Sequence, residues 1–257
     1  MRSVAKLAKK EARSQTGLFL LEGPQALSEA VAFQPELVVE LYATEKARQR
    51  HPEVFEQAAA AGIEPIPVAP AVLDAMADTV SPQGVVAVAR QFPVSVERVL
   101  GSGPRLVAVL ESVRDPGNAG TIIRAADAAG AEAVIFTGRS VDPFNPKVVR
   151  STTGSLFHLP IAIGGELPAV LERIKDAGLQ VLAADIKGED LLAARTSGLL
   201  AAPTAWLFGN EAHGLGDEQL ALADRVITVP IYGRAESLNL ATAASVCLYE
   251  SALAQRS

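Results

Sequence analysis

Apolar runs alternate with amphipathic stretches along this chain, and this pattern predicts an α/β protein. In the first third, four short apolar stretches have the composition of strands: 18–23, 37–42, 63–68 and 84–89. Helical patterns fill the gaps between them, at 24–32, 44–60 and 70–77. The first of these begins with proline, which is favoured at the first helical position. Residues 1–92 are therefore expected to form a small α/β domain.

A second α/β pattern follows residues 91–105, which mix proline, glycine, serine and charge and indicate a linker at 93–104. From 105 onward, five apolar runs have the composition of strands: 105–112, 132–138, 180–186, 204–209 and 225–231. Their hydrophobicity is continuous rather than alternating, which is typical of strands buried on both faces of a parallel sheet. Helical stretches separate them, at 119–129, 166–177, 214–223 and 237–254. Residues 105–257 are expected to form this second domain.

Ligands of such sheets bind outside the carboxyl ends of the strands, so the loops that follow the strands are the candidate site. The first, ESVRDPGNAGTIIRAADAAG (111–130), lacks the G-x-G-x-x-G turn of dinucleotide-binding folds. Asn118 is placed to cap the helix that follows, which explains at least part of its role. Arg124 lies two turns into that helix among small and apolar neighbours, as either a surface residue or a functional one.

The second loop, WLFGNEAHGLG (206–216), places Gly209 at the end of a strand, where a flat ligand can approach the backbone. Glu211 lies near a predicted helix start, where a negative charge is favourable. His213, a lone histidine in a glycine-rich turn, is interpreted as a turn residue. In the third loop, VPIYGRAESLNLATAASVCLYE (229–250), Ser237 is a natural helix cap. Asn239 lies two residues inside the predicted helix 237–254, and helix propensity does not explain an asparagine there.

Composition and charge narrow the classes of function. Hydrophobic residues make up 49% of the 257 positions, yet no run approaches the ~20 apolar residues that span a bilayer. A single cysteine, Cys247, excludes an internal disulfide framework, fits a reducing cytoplasm, and is interpreted as inert packing. The three histidines are scattered, so no histidine–cysteine metal site is expected. Net charge is −6, but residues 1–13 hold five basic side chains against one acidic, which is compatible with phosphate binding.

Each loop alone is a weak indication, but in order the three resemble the motifs of the SpoU/TrmH family of RNA 2′-O-ribose methyltransferases. VRDPGNAGTIIRAADAAG is similar to the first motif, LFGNEAHGL to the second and VPIYGRAESLNLATAASVCLYE to the third, so the resemblance covers about 105–250. GLFLLEGPQALSEAV (17–31) is similar to the L30e-like substrate-binding domain often fused to this family. The resemblance implies a parallel-sheet domain with a deep trefoil knot, which general topology rules would not suggest.

The resemblance also implies a cofactor, an oligomeric state and residue roles. The family binds S-adenosylmethionine in the knot, next to a homodimer interface, which agrees with the apolar last helix. By position, the donor would contact Gly209, Val229, Ile231 and Leu238. Arg124 matches the catalytic arginine. Four further polar motif positions would orient that arginine and the ribose: Asn118, Glu211, Ser237 and Asn239. No metal is needed.

The RNA contacts implied are basic. Asn145, Lys147 and Arg150, in FNPKVVRSTTG (144–154), are similar to an additional RNA-contacting loop of the family, although Thr153 stands where some relatives have arginine. The N-terminal basic residues would add salt-dependent phosphate contacts: Lys6, Lys9, Lys10 and Arg13.

The substrate domain favours 23S ribosomal RNA over transfer RNA as the substrate, and tRNA 2′-O-methylation stays an alternative. A second alternative is a non-catalytic RNA-binding protein, since L30e-like domains often only bind RNA. A nucleotide-dependent oxidoreductase is a third, disfavoured by the missing G-x-G-x-x-G.

Overall fold

The computed structural model describes residues 2–256, and strands alternate with helices along them. In chain order the strands are β1 (Leu18–Glu22), β2 (Val38–Ala43), β3 (Ile66–Pro67), β4 (Val85–Arg90), β5 (Leu106–Glu111), β6 (Ala133–Thr137), β7 (Ile161–Ile163), β8 (Gln180–Asp190), β9 (Thr204–Phe208) and β10 (Arg225–Thr228). The helices are α1 (Arg2–Lys6), α2 (Lys10–Thr16), α3 (Pro24–Phe33), α4 (Glu45–Arg50), α5 (Pro52–Ala60), α6 (Pro70–Asp74), α7 (Val96–Gly101), α8 (Pro116–Ala129), α9 (Pro146–Thr152), α10 (Leu167–Asp176), α11 (Leu191–Thr196), α12 (Asp217–Leu220) and α13 (Leu240–Gln255).

The chain divides into two units, and the division differs from the one the sequence predicts. The N-terminal unit contains the residues up to Phe92 together with Asp142–His158, and the C-terminal unit contains Pro93–Val141 and Leu159 onward. The segment 142–158, expected in the second domain, thus packs with the first. The expected linker 93–104 is also wrong, because α7 lies within it and buries Val96 and Val99 in the core of the C-terminal unit.

In the N-terminal unit the strands pair in the order β1-β4-β2-β3. β4 is antiparallel to both β1 and β2, and β2 is parallel to β3. Four phenylalanines form a cluster in this unit: Phe19, Phe92, Phe144 and Phe157. The Phe19 and Phe144 ring centroids lie 5.0 Å apart, and the Phe92 and Phe157 rings stack with centroids 5.7 Å apart. Segment 142–158 thus supplies part of the core of the N-terminal unit.

In the C-terminal unit every strand pairing is parallel, in the order β10-β8-β9-β5-β6-β7. All residues of β5, β6 and β9 are buried, as continuous hydrophobicity predicts. The side chains of β9 alternate between two covered faces: Leu207 lies in the core cluster that includes α10, and Trp206 donates through Nε1 to Ser251 Oγ on α13 at 2.9 Å. The predicted α/β fold with a parallel sheet is confirmed. The trefoil knot stays a prediction.

Several predicted elements differ in their bounds. The helix expected at 44–60 is two helices, because Pro52 cannot continue α4 and instead begins α5. The short edge strand β7 and helix α11 were not predicted. The expected helix at 214–223 is reduced to α12. No helix within residues 2–256 has the length and apolarity that a bilayer crossing needs.

Candidate active site

A cavity of about 390 Å³ opens at the carboxyl ends of β8, β9 and β10, where ligands of parallel sheets bind. Its volume lies within the ~300–1,000 Å³ of small-molecule sites. Apolar side chains form much of its wall, among them Phe208, Ile227, Leu215 and Leu240. Its polar side chains come from β8, from the end of β10 and from the second and third loops: Asp185, Lys187, Asn210, Glu211, His213, Thr228 and Ser237. The lining therefore combines these apolar side chains, which form the apolar slot of the cavity, with polar and charged groups.

Three of the four residues implied for donor binding line this cavity: Val229, Ile231 and Leu238. Gly209 does not line it, and its backbone is approached by protein instead. A Cβ at Gly209 would lie 2.6 Å from the carbonyl carbon of Gly214. The loop closes there, because the amide N–H of Gly214 donates to the carbonyl of Asn210 at 2.8 Å. Close packing of the loop on itself is thus the reason for glycine at 209.

Asn118 is held between the other two loops and does not cap α8. The cap is Asp115, whose Oδ1 accepts from the backbone N–H of Asn118 at 2.7 Å. The helix accordingly starts three residues before the predicted 119, with Pro116 at its first position. The side chain of Asn118 is half-buried, and its Oδ1 accepts from Asn239 Nδ2 at 2.9 Å.

Glu211 ties the second loop to the first. Its carboxylate accepts from the backbone N–H groups of Arg114 and Asp115, at 3.1 and 2.9 Å, and from Asn118 Nδ2 at 3.5 Å. Its neighbour Asn210 donates through Nδ2 to the carbonyl of Ser112 at 2.9 Å. These contacts, rather than the end of the next helix, account for the charge at 211.

Asn239, not Ser237, caps the last helix. Its Oδ1 accepts from the backbone N–H groups of Ala241 and Thr242, at 2.9 and 3.3 Å, which explains a polar residue that propensity did not. Its Nδ2 is directed to Asn118, so a polar chain runs from Asn239 through Asn118 to Glu211. Ser237 lies outside that chain, on the cavity wall. The structure thus brings together Asn118, Glu211 and Asn239, one from each loop.

Arg124 is exposed, while its neighbours Ile122, Ile123, Ala125 and Ala126 on α8 are buried. Within residues 2–256 its guanidinium has no hydrogen-bond or ion-pair partner. The arginine lies on the same helix as Asn118, but it is not part of the cavity wall. Its side chain is therefore available to a ligand that covers the outer surface of α8.

Two charged residues of the cavity were missed by sequence reasoning, Asp185 and Lys187. Both lie on β8, which was taken as a buried strand ending near 186. The strand continues to Asp190, and its last part is exposed. Lys187 Nζ donates to Asp217 Oδ1 at 3.1 Å, and this hydrogen bond raises the pKa of Lys187. The appearance of charged residues after Ala184 is the sequence signal that could have identified them.

The side chains proposed for phosphate contact in the N-terminal unit divide into two groups. Lys6, Lys9, Lys10 and Lys147 are exposed. Arg13 is only 1% exposed, and its Nε donates to Asp142 Oδ2 at 2.7 Å while Nη1 donates to the carbonyls of Leu7 and Ala8. The expectation that Arg13 binds RNA is therefore wrong, because this guanidinium is already satisfied inside the unit.

The segment that carries the N-terminal basic residues packs on the N-terminal unit. Val4 and Leu7 are buried in a cluster with Leu20 and Val88, so α1 is anchored on the sheet. In segment 142–158, Asn145 caps α9 through Oδ1. Arg150 is held by two carboxylates, with Nη1 2.6 Å from Glu22 Oε1 and Nη2 3.0 Å from Asp78 Oδ2. These ion pairs give Arg150 a structural role that the sequence did not indicate.

Cys247 is fully buried on α13, and burial raises its pKa to about 12, which agrees with inert packing. Among residues 2–256, no three His, Cys, Asp or Glu side chains form a group suited to a metal ion.

Comparison with known proteins places these features in a family. Residues 105–249 match the family model described as the SpoU rRNA methylase family, and residues 20–95 match that described as RNA 2′-O ribose methyltransferase substrate binding. The chain is 33% identical to the 23S rRNA (guanosine(2553)-2′-O)-methyltransferase RlmP of Bacillus subtilis, over 95% of this chain and 92% of that protein.

Other relatives carry related names. A 23S rRNA (uridine(2479)-2′-O)-methyltransferase of Streptomyces viridochromogenes is 33% identical, over 96% of this chain and 86% of that one. The fold is similar to the crystal structure of an AdoMet-bound rRNA methyltransferase from Sinorhizobium meliloti, with a TM-score of 0.83, 32% identity and coverage of 97% of this chain and 92% of that one. The chain therefore belongs to the SpoU rRNA methylase family.

Proposed function

We propose that this protein transfers a methyl group from S-adenosylmethionine to a ribose 2′-hydroxyl of 23S ribosomal RNA. The observation that carries the proposal is the polar chain Asn239–Asn118–Glu211 beside the cavity, because it joins all three motif loops. The names of both relatives, each a 23S rRNA 2′-O-methyltransferase, support the substrate class. Since those two modify a guanosine and a uridine at similar identity, they do not specify the nucleotide.

The donor is proposed to occupy the cavity, whose apolar slot suits an adenine ring. Val229, Ile231 and Leu238 would hold the base, and the Asn210–Gly214 turn would lie across it. The neighbour from Sinorhizobium meliloti is named as AdoMet-bound, which supports this choice. When bound, S-adenosylmethionine supplies an electrophilic methyl group on its sulfonium.

The residues of the chain then have two tasks, to orient the hydroxyl and to help remove its proton. Asn118 is fixed from both sides and would orient the ribose. Arg124 would hold the phosphate next to the reacting ribose, which lowers the cost of developing negative charge on the oxygen. A guanidinium stays protonated near neutral pH, so the proton would pass to that phosphate or to water rather than to Arg124.

The protein is further proposed to act as a cytoplasmic homodimer. Ala244 and Leu248 on α13 are buried within the chain itself, so they do not form a subunit surface. Tyr249 and Leu253 on the same helix are 44% and 52% exposed, so they are better candidates for contact with a second subunit. Light scattering at micromolar concentration checks this proposal, since a mass near the 26.8 kDa of one chain would contradict it.

The decisive experiment is methyl transfer to RNA that lacks the modification. Ribosomal and transfer RNA from cells without the gene are incubated with purified protein and labelled donor, and 2′-O-methyl positions are mapped. Labelling of one nucleotide in 23S RNA is expected. Label on a base instead of a ribose, or on transfer RNA alone, would contradict the proposal.

A further inference from the structure

Asp185 is an acidic residue of the cavity to which none of the three motif loops assigns a role. It lies near the carboxyl end of β8, half-buried, and lines the cavity with its neighbours Ala184, Ile186 and Lys187. The apolar run of β8 explains why the strand forms, but not why a carboxylate follows it at the cavity wall.

The other charged groups of the cavity already have protein partners. Glu211 accepts two backbone N–H groups of the first loop, and Lys187 is bonded to Asp217. Asp185 Oδ1 accepts from the backbone N–H of Lys187 at 3.0 Å. In the described part of the chain no donor reaches Oδ2, which lies 3.4 Å from the position that a Cβ on Gly214 would occupy. Oδ2 thus faces the turn of the second loop with acceptor capacity unused.

A carboxylate at a strand end beside a nucleotide site commonly accepts hydrogen bonds from ribose hydroxyls. The surroundings of Asp185 favour this role, because the apolar slot next to it suits a base. Gly214 opposite has no side chain to fill the intervening space.

We propose that Asp185 is the ribose-recognition residue of this cavity and accepts hydrogen bonds from the hydroxyls of the methyl donor's own ribose. The inference rests on the proposed function, since it takes an adenosyl compound as the ligand. It adds a specificity determinant, because a carboxylate left without its hydroxyl partners disfavours a deoxyribose analogue.

Calorimetric titration tests the assignment. The ligands are S-adenosylhomocysteine and its 2′,3′-dideoxy analogue. The proteins are wild type, Asp185→Ala, Asp185→Asn and the control Glu189→Gln. Glu189 lies on the same strand, pairs with Arg225 and does not line the cavity. Equal melting temperatures of the variants show that binding losses do not come from unfolding.

We expect Asp185→Ala to bind S-adenosylhomocysteine about 10- to 100-fold more weakly, the range of a charged hydrogen bond. Wild type should lose a similar factor for the dideoxy analogue, and Asp185→Ala should lose little more, because the two changes remove the same contact. Glu189→Gln should bind as wild type. If Asp185→Ala does not fold, Asp185→Asn serves with a smaller loss.

Unchanged binding by Asp185→Ala, or losses that add in full with the dideoxy analogue, would overturn the assignment. So would a loss that disappears for an analogue lacking the α-amino group, since that places the carboxylate on the ammonium. Wild type that binds no S-adenosylhomocysteine would instead contradict the proposed function itself.

Discussion

The two units use arginine in opposite ways. In the N-terminal unit Arg13 and Arg150 are held by Asp142, Glu22 and Asp78, so their charge stabilises the unit from within. In the C-terminal unit Arg124 is exposed and, within residues 2–256, has no protein partner. From the sequence, all three were candidates for a functional role, Arg13 and Arg150 in binding RNA and Arg124 in catalysis. The difference teaches that a charge count locates basic residues, whereas only the fold shows which of them remain available to RNA.

The largest expected effect comes from removing the available arginine. Arg124→Ala should bind S-adenosylmethionine nearly normally and lose about 10²- to 10⁴-fold in single-turnover methylation, since a phosphate contact made at the reacting ribose is gone. Arg124→Lys should recover little, because one ammonium does not reproduce the two-pronged contact of a guanidinium. The rate is measured across pH 6–10 with Arg98→Ala, another exposed arginine of this unit, as control.

The pH profile distinguishes two roles for Arg124, a clamp that holds the RNA phosphate and a general base that removes the proton. An inflection that survives in the residual activity of Arg124→Lys agrees with a clamp, and one that disappears would point to a titrating arginine. Near wild-type rates for Arg124→Ala would make this residue a surface arginine and remove the contrast between the units.

Replacing Arg13, which is already paired with Asp142, should lower the stability of the protein rather than its rate of methyl transfer. Arg13→Ala leaves Asp142 without its partner in a largely buried setting, and such losses cost about 3–5 kcal/mol. Urea unfolding should show the midpoint falling, while the exposed control Lys10→Ala stays within about 0.5 kcal/mol of wild type. An unchanged midpoint for Arg13→Ala would mean that the ion pair contributes no net stability.

The polar chain between the loops should have an intermediate effect on catalysis. Asn118→Ala removes the contacts with Asn239 and Glu211, and a loosened ribose site should lower kcat by about 10- to 100-fold. Adding Asn239→Ala should lower it by less than the product of the two single effects, because the changes share one contact. Fully multiplicative effects, with both variants folded, would show that the chain does not act as a unit.

The smallest effect is expected at the exposed lysines. Changing Lys6, Lys9 and Lys10 to alanine should reduce the salt slope of RNA binding by up to about three phosphate contacts and leave donor binding unchanged. The slope is measured by filter binding between 50 and 200 mM salt, with Lys46→Ala as the exposed control. An unchanged slope would mean that these lysines face away from RNA.

Sequence periodicity predicted the parallel sheet because β5, β6 and β9 are buried on both faces, and burial leaves a continuous apolar run. The motif order located the second and third loops, which line the cavity, and the first loop, which is bonded to them. It did not assign the caps correctly, since Asp115 and Asn118, or Ser237 and Asn239, are equally good capping residues and only backbone geometry selects between them. Asp185 and the ion pairs of Arg150 depend on contacts between distant residues, about which local pattern carries no information.

The placement of residues 142–158 in the N-terminal unit has a consequence for how the protein is made. Domains generally fold as units, the first one during synthesis. Here the nascent chain emerges from the ribosome with Phe19 and Phe92 but without Phe144 and Phe157, the rings that complete their cluster. The first unit therefore stays incompletely packed until residues 93–141 of the second unit, and then 142–158, have been translated. During that interval the apolar surface that Phe144 and Phe157 later cover is left exposed to solvent.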